Sequence, residues 1–165
     1  MTPLEQSVAL EREAFLHGDC WWLALTLRRL FGFTMVFTVY WPEDAPPAEL
    51  TDWSWDHVFV ETHAGVPLDV EGIPNLHRWR QAPDGYERGF HLTREDAEIH
   101  ALLEVLVDAE LRPRPGALYY VDVDPLSVIV RLAWHYPEAF LVLPLLTPDD
   151  LPDRLRSVTG LPKTG

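Results

Sequence analysis

Apolar residues at three- and four-residue spacing dominate the beginning of the chain. The first such stripe runs over residues 2–16 and is typical of one face of a helix. It opens on Thr2, Pro3 and Glu5, which are the cap, the first-turn proline and the acid of a capping box. The pattern therefore predicts an N-terminal helix with a defined first residue.

A second helical stripe follows over residues 20–31. Its apolar positions again recur three and four residues apart, and two arginines fall in its last turns, where cations suit the helix dipole. Asp19 stands where a capping side chain is expected, and Gly32 stands where a left-handed residue often ends a helix. Cys20 is therefore expected at the first position of this helix.

The pattern then changes to short runs rich in β-branched and aromatic residues. Residues 33–41, 55–62 and 66–70 are predicted strands, and the turn at 63–65 joins the last two as a hairpin. Alternation along the second strand places His57 and every second residue after it on one face of the sheet.

The remainder of the chain mixes irregular segments with further elements. Residues 71–92 contain several glycines and prolines and are predicted to be irregular. We predict a helix over 93–110, a strand over 118–123, a helix over 125–135 and a strand over 139–146. Two helices followed by antiparallel strands and more helices predict an α+β fold, with the N-terminal helices packed on the sheet.

Length and charge narrow the functional classes. The 165 residues, 47% of them hydrophobic, suit a single domain over 1–165 with a polar, peripheral tail at 148–165. A net charge of -13 disfavours nucleic acid and tolerates a basic protein partner. The single cysteine, the start without a signal-peptide pattern and the lack of an apolar run near ~20 residues predict a cytoplasmic protein that does not enter membranes.

Three residues on these predicted elements point to chemistry. Cys20 lies at a helix start, where the helix dipole favours a thiolate. His57 lies in one strand of the hairpin and Asp69 in the other, at roughly matched distances from the turn. A histidine can take the thiol proton, and a carboxylate can hold the other ring N–H and orient the imidazole. Each residue is commonly structural when it occurs alone, but their order on these elements favours a catalytic triad.

These residues belong to three short motifs, GDCxxLAxxL at 18–27, HVFV at 57–60 and GxxLDVxG at 65–72. Over residues 18–72 the motifs resemble the core of the transglutaminase-like branch of the papain-like cysteine enzymes. That superfamily carries its cysteine at the start of a helix packed on an antiparallel sheet, with the histidine and the aspartate on successive strands. The resemblance implies Cys20 as nucleophile, His57 as base and acid, Asp69 as the orienting residue, and no cofactor.

Members of this superfamily include peptidases, amidases, deamidases, acyl transferases and several bacterial toxins. The resemblance therefore implies a thiol-dependent hydrolase or acyl transferase that acts on an amide, isopeptide or thioester bond of a protein or peptide. Two alternatives stay open. One is an inactive papain-like scaffold that serves as an acidic protein-binding module of the inhibitor or immunity type, and the other is an effector or toxin deamidase. The oligomeric state is open as well.

Aromatic residues supply candidates for a substrate groove. Trp22, Trp55 and Trp79 lie in or near the segments that carry the triad, and indole side chains suit pockets and interfaces. Filling the core of a proline-rich domain is an equally good reading of the same tryptophans.

Two further features of the site are less defined. The backbone N–H of Cys20 can serve as one oxyanion donor, and Gln6, His17 or Trp22 are candidates for a second. The seven histidines lack the short spacings of a metal signature, so no metal is predicted. His135 is an alternative to His57 as the partner of the thiol.

Overall fold

The computed structural model describes residues 2–49, 52–120 and 123–140. Helices lie before and after an antiparallel sheet, so the α+β class predicted from the sequence is confirmed. The elements in chain order are α1 (Pro3–Glu13), a π-helical turn (Ala14–Gly18), α2 (Cys20–Phe31), β1 (Thr34–Pro42), β2 (Ser54–Glu61), β3 (Pro67–Leu68), α3 (Leu76–Arg80), β4 (Tyr86–Thr93), α4 (Asp96–Leu102), α5 (Pro125–His135) and a 3-10 turn (Pro137–Phe140).

The two N-terminal helices begin and end where local signals place them. Thr2 and Glu5 form the predicted capping box, with N–H to side-chain oxygen distances of 2.7 and 3.1 Å. The wide turn Ala14–Gly18 then leads into α2, whose first residue is Cys20. Gly32 ends α2 in the left-handed conformation, at φ 70°. The position of Cys20 at a helix start is therefore confirmed.

The sheet has the order β3-β2-β1-β4, and every neighbouring pair is antiparallel. The three predicted strands are present as β1, β2 and a short β3. All of the edge strand β4 except Thr93 falls in the segment 71–92, where we predicted irregular structure. Gly89 and charged residues interrupt its alternation, and several of its side chains are exposed, so its hydrophobic pattern is weak.

A β-bulge in β2 decides which side chains share a face with the histidine. Thr38 of β1 pairs with His57, but the next residue, Val39, pairs with Trp55, which leaves Asp56 as the extra residue. Trp55 therefore turns to the face of Val39. His57 lies on the opposite face, together with Thr38. Simple alternation along the strand does not anticipate this change.

The hydrophobic core lies between α2 and the sheet, and α5 also packs against α2. Each fully buried aliphatic or aromatic side chain here stabilises the fold by about 1.5–3 kcal/mol. Amphipathic spacing in α2 and one face of β1 and β2 supply the principal members, which are Leu23, Leu27, Leu30, Phe37, Val39, Val58 and Val60.

The predicted helix over 93–110 is shorter than the pattern suggests. Thr93 still belongs to β4, and α4 covers only Asp96–Leu102. The chain then turns through a loop in which the Asp108 carboxylate accepts the N–H groups of Glu110 and Arg112, both at 3.0 Å. These local hydrogen bonds compete with helix continuation.

The C-terminal predictions have mixed outcomes. The predicted helix over 125–135 is confirmed, and Asp124 caps it through a 2.8 Å hydrogen bond from the Leu126 N–H. The strand predicted over 118–123 is absent from residues 118–120, and residues 121–122 lie outside the described part. Residues 139–140 belong to the 3-10 turn rather than to a strand, and 141–146 and the tail at 148–165 lie outside the described residues.

Candidate active site

Cys20 lies where the start of α2 meets the middle of β2. Its side chain is buried, with 2% of the residue exposed. The backbone N–H groups of Trp21 and Val58 lie close enough to the sulfur to lower its pKa. Val58 directly follows His57, so the thiol lies near the strand that carries the histidine, but no hydrogen bond joins Cys20 and His57 among the described residues.

Burial dominates the electrostatics of this thiol. Desolvation raises the pKa of Cys20 from 9.0 to about 12. The N–H groups of Val58 and Trp21 lower the pKa by a smaller amount, and the carboxylates of Asp19 and Asp69 raise it. The expectation that the helix start favours a thiolate is therefore wrong for this closed arrangement, in which the thiol keeps its proton at neutral pH.

His57 and Asp69 form a buried pair. Nε2 of His57 lies 3.1 Å from Oδ2 of Asp69, and the two side chains are 0% and 3% exposed. The second carboxylate oxygen of Asp69 accepts the N–H of Glu71 at 2.8 Å, and Asp69 exchanges backbone hydrogen bonds with Gly72 at 2.8 and 3.0 Å. The hairpin thus brings the two predicted residues together and fixes the carboxylate on two sides.

The other ring nitrogen of His57 has no partner. Nδ1 is buried and makes no hydrogen bond in the described part of the chain. When Nε2 carries the proton that Asp69 accepts, Nδ1 is a bare acceptor. Leaving such a group unpaired in the interior costs about 1–3 kcal/mol. The arrangement holds an imidazole that is oriented by a carboxylate and free to accept a proton.

The backbone of His57 is held by residues that the sequence did not single out. The Thr38 hydroxyl accepts the His57 N–H at 2.9 Å and lies 2.6 Å from a carboxylate oxygen of Asp56. The other oxygen of Asp56 forms an ion pair with Arg88. This network fastens the bulge, and no local pattern in the sequence marks it because its members come from three strands.

Trp79 covers the imidazole. Its ring lies parallel to that of His57, with the centroids 4.1 Å apart and the planes 9° apart. Only 8% of Trp79 is exposed. The residue belongs to the short helix α3, which Asn75 caps through a bond from the Arg78 N–H at 3.3 Å. Of the three tryptophans proposed for a substrate groove, the structure places this one against the histidine.

Trp22 and Trp55 have other surroundings. The indole N–H of Trp55 donates to the Leu102 carbonyl at 3.0 Å, and its ring packs against Phe37 on the core face. Trp55 therefore anchors the end of α4. Trp22 is half-buried beside Trp21, with the ring centroids 6.2 Å apart. Neither residue makes a described contact with His57.

Asp19 does not cap α2. Its N–H bonds to the Ala14 carbonyl at 2.7 Å, so its backbone continues the preceding turn instead of taking the extended conformation of a cap. The buried carboxylate accepts the N–H groups of Tyr119 and Tyr120, each at 2.9 Å. The predicted cap is therefore a link between the start of α2 and a distant segment.

The remaining candidates lie away from the triad or on the surface. Gln6 and His17 are exposed, and His17 lies 4.0 Å from Glu13, so neither is placed as a buried oxyanion donor. His135 is exposed at the end of α5. Cavities of about 400 and 290 Å³ open near Asp96 and Leu111, and none of their lining residues belongs to the triad.

Residues 2–49, 52–120 and 123–140 offer neither a cluster of metal ligands nor a membrane-spanning helix. No group of three or more His, Cys, Asp or Glu side chains there is arranged to hold a metal ion. No helix in the same ranges is long and apolar enough to cross a bilayer.

Comparisons with known proteins find no match to a family model, to a curated protein or to a solved structure. What the chain does must therefore be inferred from the residues of the site.

Proposed function

We propose that the protein is a thiol-dependent hydrolase or acyl transferase with a papain-like or transglutaminase-like core and the triad Cys20, His57 and Asp69. The observation that carries the proposal is the buried Nδ1 of His57, which has no partner while Nε2 is held by Asp69. Buried polar groups are nearly always hydrogen-bonded, and a catalytic role is one reason why a native structure leaves such a group unpaired. The resemblance of residues 18–72 to that superfamily supports the same assignment.

The chemistry assigned to the triad is acyl transfer. The Cys20 thiol gives its proton to Nδ1 of His57, and the sulfur bonds to the carbonyl carbon of an amide. His57 returns the proton to the leaving nitrogen as the carbon–nitrogen bond breaks, which leaves a thioester on Cys20. Water or an amine then attacks, its proton passes to His57, and the thiolate leaves and recovers that proton. Asp69 stabilises the imidazolium throughout.

The substrate must enter a site that is closed in this structure. Cys20 and His57 are 2% and 0% exposed. Opening the site hydrates the thiol, which removes the desolvation that holds its pKa near 12. A net charge of -13 suits a protein or peptide substrate with basic residues and leaves nucleic acid as a poor partner. An effector or toxin deamidase would carry out the same chemistry on a side-chain amide. Toxicity on expression that is abolished by Cys20→Ala identifies this activity.

The second candidate is a binding module that has lost catalysis. The burial of Cys20 and its raised pKa favour this alternative, because a thiol that stays protonated and covered is inert. Such a module holds a basic protein on its acidic surface.

Alkylation of Cys20 distinguishes the two candidates. Because the chain has one cysteine, all iodoacetamide labelling reports this residue. For the enzyme we expect a labelling rate that is nearly constant from pH 6 to 8, because opening of the site hydrates the thiol and lets it pass its proton to His57. His57→Gln should lower the rate at pH 7 at least about tenfold. The matched control is His135→Gln, which changes an exposed histidine.

A buried thiol without a base behaves differently. Its labelling rate rises about tenfold per pH unit up to its pKa, and His57→Gln leaves the profile unchanged. That result would reject the catalytic proposal and leave the binding module. Circular dichroism of each variant establishes that it is folded.

A further inference from the structure

The side chain of Asp19 links the segment Leu118–Tyr120 to the start of α2. The carboxylate of Asp19 accepts the N–H of Tyr119 through one oxygen and the N–H of Tyr120 through the other, both at 2.9 Å. Asp19 is 1% exposed and directly precedes Cys20. Residues about one hundred positions apart in the chain therefore meet beside the thiol.

The surroundings of this carboxylate are unusual for a buried charge. Among the described residues, no cationic side chain forms an ion pair with Asp19, so its charge is compensated by backbone N–H groups. A buried carboxylate is costly unless it is paired or well hydrogen-bonded. The two hydrogen bonds to the segment are consequently the means by which Asp19 is accommodated in the interior.

Beyond the bonds to Asp19, the segment is only partly buried, with Leu118 and Tyr120 packed against the edge of the core. It has no regular secondary structure, and in the described part of the chain the N–H groups of Tyr119 and Tyr120 have Asp19 as their partner. Tyr119 is 81% exposed, and one edge of its ring lies against Gly18, where an added Cβ would be 3.1 Å from Cδ2. A segment without regular secondary structure and with partly exposed side chains opens locally at a lower free-energy cost than the core.

We propose that residues 118–120 form a strap that lies across the Cys20 end of α2. The two hydrogen bonds to the Asp19 carboxylate hold this strap in place. When they break, the strap opens and an acyl substrate can reach the thiol. The role given to the substrate rests on the proposed function. Opening of the strap is a property of the fold that can be measured without any catalytic turnover.

The structure offers a matched pair of carboxylates for the test. Asp19 and Asp108 each accept two backbone N–H groups, but Asp108 lies in the loop after α4. Asparagine keeps one acceptor oxygen and replaces the other by a donor. Asp19→Asn should therefore break one of the two bonds to the strap, whereas Asp108→Asn perturbs a loop whose residues include none of the triad.

Two alkylating reagents of different size distinguish an opened path to Cys20 from a lowered pKa of its thiol. Removing the Asp19 carboxylate also lowers the pKa of Cys20, since its charge raises that pKa. This effect accelerates iodoacetamide and a bulky N-benzyl iodoacetamide by the same factor. Opening of the strap favours the bulky reagent. In Asp19→Asn we expect the bulky-to-small rate ratio, and the exchange rates of the Tyr119 and Tyr120 amides, to rise about tenfold. Asp108→Asn should leave the ratio and these two amides unchanged.

A second variant tests the strap independently, in case Asp19→Asn fails to fold. Gly18→Ala keeps the carboxylate and pushes on the Tyr119 ring, so it should raise the bulky-to-small ratio in the same direction. The strap proposal would be overturned if Asp19→Asn accelerated both reagents equally. It would also be overturned if neither variant changed the bulky-to-small rate ratio or the amide exchange. The result with His57→Gln does not bear on this test, so the strap and the catalytic proposal can fail separately.

Discussion

At the scale of single residues, Gly72 is the position that most directly secures the candidate orienting carboxylate. Its φ of 94° lies in the left-handed region, and its N–H and carbonyl both bond to Asp69. A Cβ at this position would lie 2.4 Å from the hydroxyl oxygen of Tyr136. Only glycine satisfies both the backbone conformation and the approach of the tyrosine.

We expect Gly72→Ala to lower the free energy of unfolding by more than about 3 kcal/mol, because a left-handed alanine costs about 1–2 kcal/mol and the clash adds to it. Gly65→Ala is the matched control, since Gly65 has φ 79° and nothing within 4 Å of its added Cβ. Urea unfolding measures both variants. Equal losses at the two positions would show that Tyr136 does not constrain the turn.

At the scale of elements, the bulge in β2 determines the direction of the His57 side chain. The extra residue Asp56 turns Trp55 into the core and leaves His57 on the face covered by Trp79. The hydroxyl of Thr38 satisfies the N–H of His57 that this irregular pairing presents. One side chain of β1 thus supports the local geometry of β2.

Thr38→Val should therefore cost about 1–3 kcal/mol of stability, since it leaves a buried N–H unpaired. The control is Thr26→Val in α2, where the hydroxyl donates to the Trp22 carbonyl at 2.7 Å and loss of that bond leaves no N–H unsatisfied. We expect the control to lose less than about 1 kcal/mol by chemical denaturation. A Thr38 variant as stable as the Thr26 variant would mean that another group or water takes over the His57 N–H.

At the scale of the whole molecule, burial of the thiol links stability to pH. The Cys20 pKa is about 12 in the folded chain and 9.0 when the thiol is exposed. Between these values the unfolded thiol loses its proton while the folded thiol keeps it. The folded state therefore binds more protons, and stability falls as pH rises. The stabilisation is fully present below pH 9.

Comparison with Cys20→Ala isolates this contribution from tyrosine ionisation and from the acidic surface. Between pH 9 and 11 the wild type should lose up to about 1.4 kcal/mol more per pH unit than the variant. Urea unfolding at several pH values measures the two slopes. Parallel slopes would indicate that the thiol is hydrated in solution and that the site opens readily.

Local signals in the sequence determined where several helices begin or end and which strands form the hairpin. The capping box at Thr2, the left-handed Gly32 and the start of α2 at Cys20 depend on neighbours within a few residues, so the sequence predicts them. The hairpin that brings His57 to Asp69 follows from two short runs and one turn. For the same reason the sequence named the residues of the candidate site.

Only the tertiary structure decided how those residues are surrounded. The partner of Asp19 lies about one hundred residues away, the cover over His57 comes from a helix in a segment that was predicted to be irregular, and the bulge depends on pairing with β1. Burial of Cys20, which reverses the expected direction of its pKa shift, is likewise the sum of contacts from several elements. Desolvation and long-range hydrogen bonds depend on residues distant in the chain, and no local pattern records them.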